Sequence, residues 1–142
     1  MTTNLAKLYH RSLSGVLTLF SVSGTLLTFP AMASGWVRVK TDAQNNIYYV
    51  DISAIEENGR FRSFWSHVIH GEPYREAGKL VYSRTFYISV DCQTQSYQVR
   101  FERSLDANGQ AIQDYDYGDE GESGTPVPNS PEEASIKFVC SK

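Results

Sequence analysis

Two segments that alternate apolar and polar residues restrict this chain more than any other feature. From Leu80 to Val90, the positions Leu80, Tyr82, Phe86, Ile88 and Val90 share one face, with Arg84 the exception; Val81, Ser83, Thr85, Tyr87 and Ser89 share the other. From Tyr97 to Leu105, the apolar face is Tyr97, Val99, Phe101 and Leu105, while Ser96, Gln98, Arg100, Glu102 and Ser104 face away. Period two belongs to a strand, because successive Cβ atoms leave opposite sides of the backbone. The link Asp91-Cys92-Gln93-Thr94-Gln95 is too short for a crossover, so these two strands pair antiparallel.

Turn signals extend the pattern in both directions. Asp106-Ala107-Asn108-Gly109 ends in Asn-Gly, which accepts positive φ at low cost, and predicts a strand from Gln110 to about Tyr117. Asn58-Gly59 precedes Arg60 to His70, a stretch rich in aromatic and β-branched residues. Asn45-Asn46 separates Trp36–Lys40 from Ile47–Asp51 and predicts another hairpin. About six strands joined by short turns give a meander. Gly71 to Gly78, with Pro73, and the acidic, Gly- and Pro-rich Gly118 to Asn129 read as loops, the second the more mobile. Ser130-Pro131-Glu132-Glu133 reads as a helix start: an N-cap serine, proline at the first helical position, and glutamate at the third. A short helix from Pro131 towards Phe138 would lay Ala134, Ile136, Phe138 and Val139 on the sheet. The fold class is α+β, mainly β.

The first residues carry an address. Lys7 and Arg11 lie in a basic flank from Met1 to Ser12, and no acidic residue precedes Asp42. An apolar run from Leu13 to Phe29 follows, then Pro30 and Ala31-Met32-Ala33-Ser34. Basic flank, apolar run and small-x-small site in that order make a secretory signal peptide, residues 1–33, cut after Ala33. As a retained anchor the run is at the short end for a ~30 Å hydrocarbon core. No cysteine follows it to carry a lipid. One domain, residues 34–142, is expected to remain in the periplasm or outside the cell, with no stable membrane anchor.

In that compartment the only two cysteines, Cys92 and Cys140, are expected to form a structural disulfide. Closing a loop of this size contributes about 4 kcal/mol in the chain-entropy model. Loss of Lys7 and Arg11 with the leader leaves 11 basic against 16 acidic side chains, a charge of −5. Nucleic acid is not an expected partner, because phosphate binding needs a concentrated basic face. The acidity is concentrated: Asp106 to Glu133 holds eight acidic residues and no basic one.

Signals for chemistry are weak. His67 and His70 point to opposite faces of a strand and share no metal. Counted from Asp114 as an EF-hand loop, Gly118 falls one position early and Thr125 stands where a bidentate glutamate is needed. No G-x-S-x-G, H-E-x-x-H or P-loop pattern is present, so no catalytic, metal or cofactor residue is assigned. Aromatic residues are the one excess, at 13%. Tyr87, on the polar side of its strand, and Tyr115, Tyr117, Asp116 and Asp119, in and beside the acidic segment, are the candidate binding surface.

Trp36 just after the leader, Tyr48-Tyr49-Val50-Asp51 running into Ile52 to Ile55, Trp65, Ser83-Arg84 before Asp91-Cys92, and the closing Cys140 resemble the surface-adhesin protein E family of small exported bacterial proteins. The resemblance implies a bent antiparallel sheet with a C-terminal helix and one disulfide. It also implies a binding role, since the family's name comes from a lipid-anchored adhesin of host matrix and plasma proteins. The leading expectation is a non-catalytic protein-binding module with an unidentified protein partner. The alternatives are an inhibitor of an extracytoplasmic enzyme, which would present a rigid protruding loop, and a small hydrolase, which would need a deep polar pocket. Edge strands of the sheet also offer a route to a homodimer.

Overall fold

The computed structural model describes residues 35–142; the leader expected at 1–33 lies outside them. Eight strands and a short 3-10 turn (Ile52–Ala54) precede one α-helix: β1 (Trp36–Thr41), β2 (Ile47–Asp51), β3 (Glu56–Asn58), β4 (Phe61–Glu76), β5 (Lys79–Asp91), β6 (Tyr97–Leu105), β7 (Ala111–Asp116), β8 (Ser123–Gly124) and α1 (Pro131–Cys140). The main path is the expected antiparallel meander, β1-β2-β4-β5-β6-β7. Two short strands branch from it, β3 onto β4 and β8 onto β6.

Two hairpins are built on one five-residue device, DAQNN at 42–46 and DANGQ at 106–110. The carboxylate of Asp42 accepts from the Gln44 and Asn46 amides, both at 2.9 Å. That of Asp106 accepts from the Asn108 and Gln110 amides at 2.8 and 2.9 Å. The fourth residue, Asn45 or Gly109, takes a positive φ of 63° or 75° and reverses the chain. Aspartate supplies the acceptor and Asn or Gly tolerates the left-handed backbone, which is why these residues occupy these places.

Four register shifts interrupt the ladders, and two of them change which residues are buried. Between Ile69 and Tyr74, four residues of β4 stand against Tyr82 alone on β5. The predicted loop Gly71 to Gly78 is therefore mostly strand, continuing past this bulge to Glu76. Pro73 is tolerated there because a bulge leaves its position outside the hydrogen-bond ladder. Gly71 is pressed against the β1–β2 turn: its amide donates to the Asn46 side chain at 2.9 Å, and a Cβ at this position would collide with the Gln44 carbonyl. Beyond the bulge the burial of β5 changes phase. Val81 is fully buried, while Leu80 and Tyr82, expected on the apolar face, are exposed.

The second irregularity lies in β6. Phe101 pairs with Tyr87 but Val99 pairs with Ile88, so Arg100 is an extra residue. The extra residue flips everything beyond it. Tyr97 and Val99 share the face that Val90 and Ile88 occupy, whereas Phe101 joins Tyr87 on the opposite face. The expected single face of Tyr97, Val99, Phe101 and Leu105 is thus split. Glu102 and Ser104, expected outward, are buried.

α1 lies on the face of Val50, Phe64 and Val90, and its Ile136 and Val139 complete a dry cluster. Burying each of these side chains contributes ~1.5–3 kcal/mol. The helix starts as the sequence indicates: the Ser130 hydroxyl accepts from the Glu133 amide at 3.1 Å. The Glu133 carboxylate reaches back to the Asn129 amide at 2.8 Å. The helix runs to Cys140, past the expected end near Phe138, and Cys140 is joined to Cys92 with a Cα separation of 5.4 Å. The bond ties the helix end to the β5–β6 hairpin. The other predicted loop, Gly118 to Asn129, is stitched to β6. The Val99 amide donates to the Glu122 carbonyl at 2.8 Å, Arg100 pairs with Asp119, and buried Gly121 sits where a Cβ would strike the Val99 carbonyl. Among the described residues no helix is long and apolar enough to cross a membrane.

Candidate functional site

The sheet has two faces, and α1 lies on only one. Register defines two rows on the other. One runs Tyr49, His67, Thr85, Arg103, Asp114 across β2, β4, β5, β6 and β7. The next runs Trp65, Tyr87, Phe101, Asp116. The Trp65 ring centroid lies 4.9 Å from that of Tyr87 and 5.9 Å from that of Phe101. Trp36 extends the patch over His67, at 5.6 Å. The rings of Trp36, Tyr49, Trp65, His67, Tyr87 and Phe101 are all half-buried, so each keeps surface open to solvent. Trp36, Tyr49, His67, Ile69 and Thr85 line a shallow hollow in this face.

Polar groups fix the rings. Arg103 lies 5.5 Å from the Phe101 ring centroid and forks onto Asp114 with bonds of 2.7 and 2.6 Å. That hydrogen-bonded pairing holds the Asp114 carboxyl below its usual range and pushes the Arg103 guanidinium up. Tyr87 donates to Glu56 at 3.1 Å, and its phenol is pushed up, chiefly by burial. His67 bonds Thr85 through Nδ1 at 2.9 Å, and burial, then His70, lowers its pKa, so a neutral imidazole faces Trp36 at pH 7. The result is an aromatic surface with a charged border at β6 and β7.

Of the five candidate residues, this face brings Tyr87 and Asp116 into one row. Tyr115 and Tyr117 turn to the opposite side. Their rings stack 6.0 Å apart, and they donate to Glu76 at 3.0 Å and Glu102 at 3.2 Å. The two carboxylates converge on Arg84, Glu102 at 2.6 Å and Glu76 at 3.5 Å, while Tyr74 lies 5.0 Å from the guanidinium. These acidic neighbours raise both phenols, Tyr115 first through its bond to Glu76 and Tyr117 first through burial. Asp119 is almost fully exposed and paired with Arg100. The sequence contained Trp36, Trp65 and Phe101, but nothing in it marked which face α1 would cover.

Among the described residues no group of histidine, cysteine and acidic side chains converges as a metal site. The family described as "Surface-adhesin protein E" matches residues 36–141. No curated protein sequence matches. The solved structure of Haemophilus influenzae protein E is similar over 76% of this chain and 85% of that chain, with 16% identity and a TM-score of 0.55. Protein E from non-typeable H. influenzae is similar over 76% of each chain, with 17% identity and a TM-score of 0.54. At such identities the likeness is one of fold.

Proposed function

The chain belongs to the surface-adhesin protein E family, and from that premise we propose that it is an exported, non-catalytic binding module whose contact surface is the aromatic face opposite α1. One observation carries this reading: Trp65, Tyr87 and Phe101 pack together, Trp36 packs on His67 in the neighbouring row, all remain partly exposed, and the helix lies on the other side. Aromatic side chains give large contact area at low entropy cost and dominate binding hot spots. The partner is a protein, and host matrix or plasma proteins are the first to test. Tyr87 and Asp116 belong to this surface, while Tyr115 and Tyr117 serve to brace β7.

Export follows from the leader at residues 1–33, and N-terminal sequencing of native material reads the cut after Ala33. Delivery to the periplasm or beyond it is decided by fractionation. The outer edges of β1 and β7 offer backbone groups to a second copy, and sedimentation velocity distinguishes homodimer from monomer.

The binding test is biolayer interferometry against matrix and plasma proteins, comparing the wild type with Trp65→Ala, Tyr87→Ser and Asp116→Lys. Loss of at least about tenfold in affinity with an unchanged circular dichroism spectrum supports the surface. Undiminished binding by all three variants refutes it.

A further inference from the structure

A second place in the molecule can hold a ligand, on the other side of the sheet from the aromatic face. Between α1 and the sheet lies a cleft of about 260 Å³. Its apolar lining includes the buried Phe64, Val68 and Ile136 and the half-buried Phe86, Ile88 and Val99. Its charged lining is Arg84, Glu102, Glu122 and Glu132. The size falls below the ~300–1,000 Å³ typical of a small-molecule pocket and suits a single side chain.

The charge of the rim is unbalanced. Arg84 is already answered by Glu102 at 2.6 Å and Glu76 at 3.5 Å. Glu122 and Glu132 are exposed and have no ion-pair partner among the described residues. Their field reaches two phenols on the cleft wall. Tyr97 is raised by burial and then by Glu122 and Glu132; Tyr48 is pushed up to about 12 by burial and Asp42, with Glu132 adding to it. The cleft therefore combines an apolar floor with a mouth of negative potential.

We propose that this cleft receives one long cationic side chain, lysine or arginine, from a partner polypeptide. The methylene stem lies along Phe86, Ile88, Val99 and Ile136, and the charged head stays at the mouth between Glu122 and Glu132. Lysine and arginine are built for such a place, with an apolar stem and a head that remains near water. A neutral chain would satisfy the floor and leave the mouth unpaired. An anionic chain would meet two like charges. This site does not depend on the aromatic face, since each lies on its own side of the sheet.

The test titrates the purified, methyl-labelled protein by NMR with four probes: the N-acetyl methylamides of lysine, arginine and norleucine, and hexanoate. Saturable shifts of the Ile88, Val99 and Ile136 methyls are expected with the two cationic probes. Norleucine is expected to bind about tenfold more weakly, a factor within the range that two exposed rim carboxylates supply. Added salt weakens the cationic probes and leaves norleucine unaffected. The double variant Glu122→Gln/Glu132→Gln removes the preference for cations and lowers the melting temperature by no more than about 4 °C, since neither carboxylate has an ion-pair partner and Glu132 loses only its favourable place in the first turn of α1. Norleucine binding as tightly as lysine, hexanoate binding more tightly than either, silent methyls, or a double variant that keeps its preference would each overturn the proposal.

Discussion

Replacing Glu102 with alanine tests the bulge at Arg100, because only the bulge turns this residue inward. Its side chain is 12% exposed and lies 2.6 Å from Arg84. Removing one partner of a fully buried ion pair costs ~3–5 kcal/mol, since the other charge is left without compensation. Here the loss is smaller. Arg84 keeps 26% of its side chain exposed and retains Glu76 at 3.5 Å. Solvent and the second carboxylate reduce the cost to about 2 kcal/mol. A domain spanning residues 35–142 unfolds with an entropy of roughly 0.2 kcal/mol/K, so Glu102→Ala lowers Tm by roughly 9 °C. Differential scanning calorimetry reads this, with Glu122→Ala as the exposed control. Arg84→Met/Glu102→Leu removes both charges of the closer pair but leaves Glu76 without its cation, so it should recover only part of the loss. Unbroken alternation along β6 would put Glu102 in water. A loss below about 0.5 kcal/mol, the usual range for a surface change, would refute the inward placement.

Three further outcomes follow from the same structure. Cys92→Ser/Cys140→Ser opens a closure between residues 48 positions apart, costs about 4 kcal/mol and lowers Tm by roughly 15–20 °C in calorimetry. Ala77 has a φ of 47° beside Gly78 at 77°, in a two-residue turn that suits asparagine better; Ala77→Asn is expected to raise stability by about 0.5–1 kcal/mol in urea titration. Tyr48, Tyr74, Tyr87, Tyr97, Tyr115 and Tyr117 all hold their phenolic protons more tightly than the ordinary value of 10, Tyr48 up to about 12. Their folded-state values are raised, so the stabilisation is complete below pH 10 and is lost as pH rises towards 12; denaturation followed alongside tyrosinate absorbance should show that fall.

What could be read from residues alone was whatever local chemistry decides. Asp106 to Gly109 carries its own acceptor and its own left-handed residue, so the hairpin was legible. Ser130-Pro131 sets a helix start in the same local way. The two lone cysteines pointed to each other. The bulges were not legible, because a bulge depends on which residue stands opposite. Gly71 to Glu76 has the glycine, proline and charges of a loop, yet it is strand held by a partner strand and the β1–β2 turn. Arg100 is an ordinary strand residue, and only its failure to oppose anything on β5 reveals that Phe101 and Glu102 exchange faces. The same limit applied to the site. Tyr87 was legible as a residue on the polar side of its strand. Tyr115 and Tyr117 resembled it until Glu76 and Glu102, distant in sequence, proved to accept their hydroxyls.

The aromatic face opposite α1 is the proposed contact with the partner. The chain's two tryptophans, Trp36 and Trp65, both stand on that face and nowhere else. Fluorine NMR of the fluorotryptophan-labelled protein therefore reports on it directly. Addition of a binding partner is predicted to shift or broaden both resonances. A partner that binds while both resonances stay unmoved would contradict the account.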